Sequence, residues 1–160
     1  MLWLRALFFV LLLPGMIGYA LPIWIGSANG RPAVALRAAA LVPLAAGTGM
    51  LLWCVRDFAV RGRGTLAPID PPTELVAVGL YRWVRNPMYV GVVTTLLGHA
   101  LWFGSAWLLL YAAGIASAFH LFVVLYEEPA LGRRFGESYR RYRDAVPRWI
   151  PRRPGPGAPR

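Results

Sequence analysis

Two short stretches of the sequence contain most of the side chains that could do chemistry. In the first, Asn86-Pro87 predicts a helix start, because Asn is a favoured N-cap and Pro is tolerated at the first helical position. A helix start offers free backbone N–H groups and a positive dipole end, so it favours an anion or a ligand carboxylate. Arg82 and Arg85 add positive charge beside it. The alternative is an ordinary membrane-interface anchor of Arg, Trp and Tyr side chains.

The second stretch begins where His120, Glu127 and Glu128 interrupt an apolar region. Ionisable groups at membrane depth are costly and usually functional. His120 and Glu127 are seven residues apart, which places them on one face of an α-helix, and Pro129 predicts that the helix kinks or restarts there. The alternative for the glutamates is a pair of first-turn acids on the next helix. The alternative for His120 is a packing histidine, which is also the interpretation for His99.

Four apolar runs must position these two stretches, and they occupy residues 6–25, 38–55, 88–103 and 106–126. About 20 apolar residues are needed to cross the roughly 30 Å of bilayer hydrocarbon, and 58% of the 160 residues are hydrophobic. Because Gly104-Ser105 is a tight connection, the third and fourth runs should form an antiparallel hairpin. The predicted fold is all-α, a single membrane domain over 1–160 with four transmembrane helices. A cleaved signal peptide is the alternative for the first run.

The basic residues predict the orientation of these helices. The chain has 17 basic residues, 7 acidic residues and a formal net charge of +10, and every basic residue is an arginine. Fifteen arginines fall on one side of four spans, and two, Arg31 and Arg37, fall on the other. The positive-inside rule then places both termini and the loop 56–87 in the cytoplasm. Lys-free, Arg-rich usage favours a GC-rich bacterial host, hence its inner membrane. Because the arginines flank apolar runs, no nucleic-acid partner is expected.

Three polar segments complete the predicted architecture. Gly and Pro residues predict an extended, turn-rich opening to the loop 56–87. Residues 129–146 predict an amphipathic helix along the cytoplasmic interface, covering the site. Arginines fill its polar face, and its apolar positions are Leu131, Phe135, Tyr139, Tyr142 and Val146. Residues 151–160, rich in Pro, Gly and Arg, are predicted to be a disordered tail. The sequence predicts no metal site.

Two signatures can be read from these stretches. The first runs through Leu75-Val76, Gly79-Leu80-Tyr81 and Arg85-Asn86-Pro87-Met88-Tyr89-Val90-Gly91. The second is Glu127-Glu128-Pro129-Ala130-Leu131, followed by Phe135-Gly136-Glu137-Ser138-Tyr139, Tyr142 and Val146-Pro147. In order and spacing they resemble the signatures of the isoprenylcysteine carboxyl methyltransferase and phospholipid methyltransferase superfamily. The resemblance covers about residues 64–151.

This resemblance implies a helical, membrane-embedded methyltransferase that uses S-adenosylmethionine without a Rossmann domain. The family forms its cofactor pocket from the segment before the third run, the start of that run and the Glu of the second signature. The cofactor contacts implied for this chain are Thr73, Glu74, Leu75, Val76, Tyr81, Asn86, Pro87, Met88, Tyr89 and Glu127. His120, as a base where one is needed, and Arg85 are the candidate catalytic residues.

The acceptor is less well defined by the resemblance. Asn86 stands where many family members have His, and Val123 stands where prenylcysteine enzymes place an Arg for the substrate carboxylate. The function we predict is carboxyl O-methylation of a lipophilic acceptor, an isoprenylcysteine-like or other prenylated molecule taken from the bilayer. The nearest alternatives are N-methylation of phospholipids and S-methylation of a small thiol. More distant ones are an NADPH-dependent, sterol-reductase-like enzyme and a non-catalytic membrane adaptor. The sequence leaves the oligomeric state open.

Overall fold

The computed structural model describes residues 11–27, 32–61 and 78–153, and every regular element in these ranges is helical. The α-helices are α1 (Leu21–Ser27), α2 (Val34–Arg61), α3 (Pro87–Phe103), α4 (Ala106–Phe122) and α5 (Glu128–Ala145). Two π-helical segments, Leu11–Ala20 and Val123–Glu127, lead into α1 and α5, and a 3-10 helix spans Gly79–Arg82. The all-α expectation is confirmed for the described residues. The implied cofactor residues Thr73, Glu74, Leu75 and Val76 lie outside them.

Among the residues that the structure describes, two helical stretches are long and apolar enough to cross a membrane. They are Val34–Asp57 and Ala106–Ala145, the second running from α4 through the π-helical segment into α5, whereas Pro87–Phe103 is shorter. Large apolar side chains cover the outer surface of the bundle, for example Val42, Trp107 and Leu125 at 72%, 69% and 72% exposure. Such a surface suits contact with lipid tails. That all four runs span the membrane stays a prediction.

A close helix contact joins α2 to α3 through small residues. A Cβ atom on Gly47 would lie 2.7 Å from both the Gly91 carbonyl oxygen and the Thr95 backbone nitrogen. Small residues at helix interfaces let two backbones approach closely inside a membrane. Gly49, two residues further on, has nothing within 4 Å of its Cβ position. Of these two glycines, Gly47 therefore lies in a close helix contact and Gly49 does not.

Replacing Gly47 with Ala is expected to lower the thermal unfolding midpoint in detergent, because the added methyl would overpack the interface at a typical cost of about 1–3 kcal/mol. The matched control is Gly49→Ala, which meets only open space. That change should leave the midpoint unchanged or raise it slightly, because Ala favours the helix by up to about 1 kcal/mol over Gly. Equal midpoints for the two variants would contradict the close α2–α3 contact.

The hairpin between α3 and α4 confirms the sequence-based expectation. Gly104 caps α3 in the left-handed conformation with φ 59°, and Ser105 precedes α4 in an extended conformation. Gly suits that position because it has no Cβ to clash in the left-handed region. The reversal brings both signatures to one end of the bundle, where α2 ends and α3 begins; we call this the polar end.

The predicted helix break at Pro129 is present as a change of helix type. Val123–Glu127 forms a π-helical turn, and α5 restarts at Glu128 with Pro129 in its first turn. Pro has no N–H for the α-helical bond to the residue four earlier, so a break in the pattern before it is expected. Helix α5 bends again at Gly136, where φ is 52°.

The apolar face predicted for the last helix is confirmed residue by residue. Tyr139, Tyr142 and Val146 are buried together, with Leu131 and Phe135 packed against them. The helix is therefore amphipathic as its spacing predicts. Its position at the membrane interface stays a prediction.

Candidate active site

Helix α3 starts where its sequence predicts, but the Asn86 side chain does not cap it. Asn86 occupies the N-cap position and Pro87 follows inside the first turn. The Asn86 side chain forms no cap hydrogen bond; its Nδ2 instead donates to the Arg148 carbonyl oxygen at 3.2 Å. The first N–H groups of α3 have no acceptor within the helix. The backbone N–H groups of Met88 and Tyr89 are thus not capped by Asn86.

Tyr89 and Glu127 join the two signatures directly. The Tyr89 hydroxyl donates to Glu127 Oε2 at 3.0 Å across 38 residues of sequence, and both residues are half-buried. The Tyr89 ring also stacks on Phe119, with 4.5 Å between the ring centroids. Within the described ranges, Tyr89 is the one hydrogen-bond donor to Glu127. The carboxylate therefore keeps acceptor capacity for a ligand.

The neighbouring carboxylate, Glu128, is occupied by two arginines. Arg85 Nη1 donates to Glu128 Oε1 at 2.9 Å. Arg148 binds both oxygens, Nε to Oε1 at 2.6 Å and Nη2 to Oε2 at 2.9 Å. The side chains of Arg85 and Glu128 are only 9% and 14% exposed, so this is a partly buried network. The hydrogen bonds to Glu128 raise the pKa of the Arg148 guanidinium.

Residues 146–153, which we call the tail segment, return across the polar end of the bundle. The Arg85 backbone N–H donates to the Pro147 carbonyl at 2.8 Å, and the Arg152 backbone N–H donates to the Trp83 carbonyl at 3.0 Å. These bonds, with those of Asn86 and Glu128, attach the tail segment to the turn before α3. Arg152, which falls in the segment predicted to be disordered, is thus held by the fold, while residues 154–160 lie outside the described ranges.

Tyr81 is fixed in the 3-10 helix from two sides. Its side chain is hydrogen bonded to the buried thiol of Cys54 on α2. Its carbonyl oxygen accepts a 2.8 Å hydrogen bond from the Tyr142 hydroxyl on α5. Burial raises the pKa of Tyr81 well above its ordinary value, so the phenol is neutral at physiological pH. Tyr81 therefore links α2 to α5 beside the start of α3.

Within the described ranges, His120 forms no hydrogen bond with Tyr89 or Glu127. His120 is exposed, and its Nδ1 accepts a 3.1 Å hydrogen bond from Trp149 Nε1. Phe119, not His120, contacts Tyr89. The reason is the π-helical turn: it holds one more residue than an α-helical turn, so the residue eight before Glu127 takes the place expected of the residue seven before it.

The structure therefore brings together most of the site residues predicted from the described part of the sequence. The residues around the start of α3 are Tyr81, Asn86, Met88, Tyr89 and Glu127, and Pro87 lies in its first turn. Arg85 contacts Glu128, and His120 contacts Trp149. Sequence reasoning missed Arg148 and Trp149. The available signal was a Trp flanked by Arg and Ile immediately after the amphipathic helix, which is an unusual composition for a solvated tail.

Comparison with known proteins relates this chain to a protein family and to a bacterial protein. The sequence profile of the phospholipid methyltransferase family matches residues 35–138, about two thirds of the chain. A protein of Haemophilus influenzae (strain Rd), described as an uncharacterized protein, is 33% identical over 63 residues, which cover 39% of this chain and all of that protein. The matched range includes the Tyr89–Glu127 pair and both arms of the α3–α4 hairpin. This chain belongs to the phospholipid methyltransferase family, within the isoprenylcysteine carboxyl methyltransferase-like superfamily.

Proposed function

We propose that this protein transfers the methyl group of S-adenosylmethionine to a lipophilic acceptor at the polar end of its helical bundle. The observation that carries the proposal is the Tyr89–Glu127 hydrogen bond, because it joins the two signatures beside the uncapped start of α3. The Glu127 carboxylate can accept further hydrogen bonds, and the free backbone N–H groups beside it can donate them. Together they suit a ligand that carries both a positive and a negative group. S-adenosylmethionine carries a carboxylate, an ammonium group and two ribose hydroxyls.

The residues present fit this cofactor group by group. The Met88 and Tyr89 backbone N–H groups suit the methionyl carboxylate, since a helix N-terminus stabilises negative charge. Glu127 suits the ammonium group or the ribose hydroxyls, which are all hydrogen-bond donors. Tyr81 and Tyr89 supply aromatic surface for the adenosine. Thr73 to Val76 are assigned to the same pocket on the resemblance alone.

Bound S-adenosylmethionine would supply an electrophilic methyl group on its sulfonium sulfur. What this chain adds is orientation and the exclusion of water from the nucleophile. The network of Glu128 with Arg85 and Arg148 holds the tail segment against the turn before α3. Arg85 thus positions the backbone around the site through Glu128, rather than contacting the reacting atoms.

A carboxylate is the acceptor group that this arrangement favours first. A carboxylate is ionised near pH 7, so its methylation requires no base, and the Nδ1 of His120 already accepts a hydrogen bond from Trp149. Val123 is only 1% exposed and supplies no cation. Arg82 has a buried Nε without a hydrogen-bond partner in the described part of the chain, so we assign it to the acceptor carboxylate. The acceptor would enter from the lipid side, past the exposed Leu125 and Tyr126.

A second candidate, N-methylation of a phospholipid headgroup, is favoured by the family to which the chain belongs. An amine acceptor must lose a proton, and His120 would then be the base. For either acceptor we place the polar end in the cytoplasm of a bacterium, at the inner membrane, because fifteen of the seventeen arginines lie on that side of the predicted spans.

Calorimetry of the detergent-solubilised protein tests the cofactor assignment. S-adenosylhomocysteine is expected to bind and NADPH is not, because the Glu127 carboxylate suits an ammonium group or ribose hydroxyls and repels the phosphate groups of NADPH. Binding of NADPH without S-adenosylhomocysteine would overturn the methyltransferase assignment in favour of a reductase. Incubation of membranes with methyl-labelled S-adenosylmethionine, followed by mass spectrometry of the lipid extract, then separates a labelled ester from a labelled headgroup amine.

A further inference from the structure

A buried acid on α2 is not used by any contact described so far. Asp57 is 5% exposed, and its Oδ2 has no hydrogen-bond partner in the described ranges. Its Oδ1 lies 3.9 Å from Nη1 of Arg56, whose side chain is 73% exposed. At that distance and exposure the ion pair is weak. A carboxylate removed from water without a partner is costly, so such a group is expected to meet a cation or a set of donors.

Asp57 contacts the 3-10 helix that precedes the proposed cofactor site. Its Oδ2 contacts Gly79 at the start of the 3-10 helix, where a Cβ atom would collide with it. Gly79 has φ +57°, a conformation that L side chains rarely adopt. One turn earlier on α2, Cys54 is hydrogen bonded to Tyr81 of the same 3-10 helix. Asp57 and Cys54 of α2 therefore both contact the 3-10 helix Gly79–Arg82, which leads into α3.

The 3-10 helix beside Asp57 also contains a buried basic atom without a hydrogen-bond partner in the described ranges. Arg82 is the last residue of that 3-10 helix. Neither Arg82 nor Asp57 Oδ2 has a hydrogen-bond partner for its buried polar atom in the part of the chain that the structure describes. The two form no ion pair with each other there. Asp57 Oδ2 is therefore available to a cationic group of a ligand, while Arg82 keeps the assignment to the acceptor carboxylate.

We propose that Asp57 receives the α-ammonium group of the cofactor's methionyl portion, leaving Glu127 for the ribose hydroxyls. This assignment rests on the proposed function and makes it more specific. An unpaired buried carboxylate requires a positive partner more than neutral hydroxyl donors, whereas Glu127 already shares its charge with the Tyr89 hydroxyl. Gly79 is then needed for two reasons: its backbone conformation and the space that Asp57 occupies.

A cycle of two proteins and two ligands tests the assignment by calorimetry in detergent. The ligands are S-adenosylhomocysteine and its deamino analogue, in which hydrogen replaces the α-amino group. Asp57→Asn is expected to weaken S-adenosylhomocysteine binding about 10- to 100-fold, the range for a lost charge-assisted hydrogen bond. It should leave binding of the deamino analogue nearly unchanged, since that ligand has no ammonium group to lose. Asp144→Asn, whose side chain is 74% exposed, is the control and should affect neither ligand.

Thermal unfolding without ligand provides the second readout. The midpoint of Asp57→Asn should equal or exceed that of the unaltered protein, because the amide removes an unpaired buried charge. Equal weakening of both ligands, or a lowered midpoint with unchanged binding, would show that Asp57 serves the fold and overturn the assignment. Absence of S-adenosylhomocysteine binding in the unaltered protein would instead overturn the proposed function itself.

Discussion

The Glu127→Gln variant is expected to bind S-adenosylhomocysteine about 100-fold more weakly and to transfer methyl groups at close to the background rate. Glu127 accepts one hydrogen bond, from Tyr89, and its remaining lone pairs are the acceptors proposed for the cofactor. A hydrogen bond to a charged group contributes about 1.5–3 kcal/mol, and a 100-fold loss corresponds to about 2.7 kcal/mol, or roughly one such bond to a neighbouring hydroxyl. Calorimetry gives the affinity, and label transfer to the lipid extract gives the rate.

The matched control for this variant is Glu137→Gln, which changes the same side chain at a site that is 67% exposed. It should retain both affinity and rate. Tyr89→Phe removes the hydroxyl but keeps the ring stacked on Phe119, so a smaller loss of about tenfold is expected. If Glu127→Gln bound the cofactor product as tightly as the unaltered protein, the site would have to lie elsewhere in the bundle.

Glu128→Gln is expected to destabilise the fold rather than to weaken cofactor contacts directly. The substitution leaves the Arg85 and Arg148 guanidinium groups facing a neutral amide, and Arg85 is 9% exposed. Breaking a buried ion pair by removing one partner costs about 3–5 kcal/mol, and partial exposure places this case near the lower figure. For a protein of this length, about 3 kcal/mol corresponds to a fall of roughly 6–12 °C in the thermal unfolding midpoint.

Glu137→Gln again supplies the comparison, because it removes an ion pair with Arg140 in which both side chains are mostly exposed, at 67% and 64%. Such a surface pair contributes at most about 1 kcal/mol. The two adjacent glutamates should therefore separate cleanly: Glu127→Gln loses affinity at an unchanged midpoint, and Glu128→Gln loses stability. An unchanged midpoint for Glu128→Gln would mean that the network with Arg85 and Arg148 contributes nothing to the fold.

The features that the sequence predicted correctly are those governed by neighbouring residues. Asn86-Pro87 predicts the start of α3, and Gly104-Ser105 predicts the hairpin, because caps and turns depend on a few consecutive residues. The apolar face of α5 follows from helical spacing alone, and its cluster is the one expected. The pairing of the two signatures was implied by the resemblance; the Tyr89–Glu127 contact is the form it takes.

The features that sequence reasoning missed depend on contacts between distant residues. The Asn86 amide reaches Arg148 across 62 residues, and Arg85 reaches Glu128 across 43. Neither pairing can be read from neighbouring residues. An N-cap Asn is expected to bond within its own helix, and an interfacial Arg is expected to bond lipid headgroups. The prediction that His120 and Glu127 share one helix face failed for a different reason. A seven-residue spacing implies one helix face only in an uninterrupted α-helix, and the π-helical turn Val123–Glu127 shifts that register by one residue.

The return of the tail segment to the turn before α3 has a consequence for how the protein is made. Ribosomes deliver the chain in order, so every apolar helix has been synthesised before Arg148 emerges. Only then can Glu128 and Asn86 acquire their partners on the tail segment. Synthesis of the described helices and completion of the candidate site are therefore separate events, and a nascent chain halted before Arg148 would contain those helices but lack part of the candidate site.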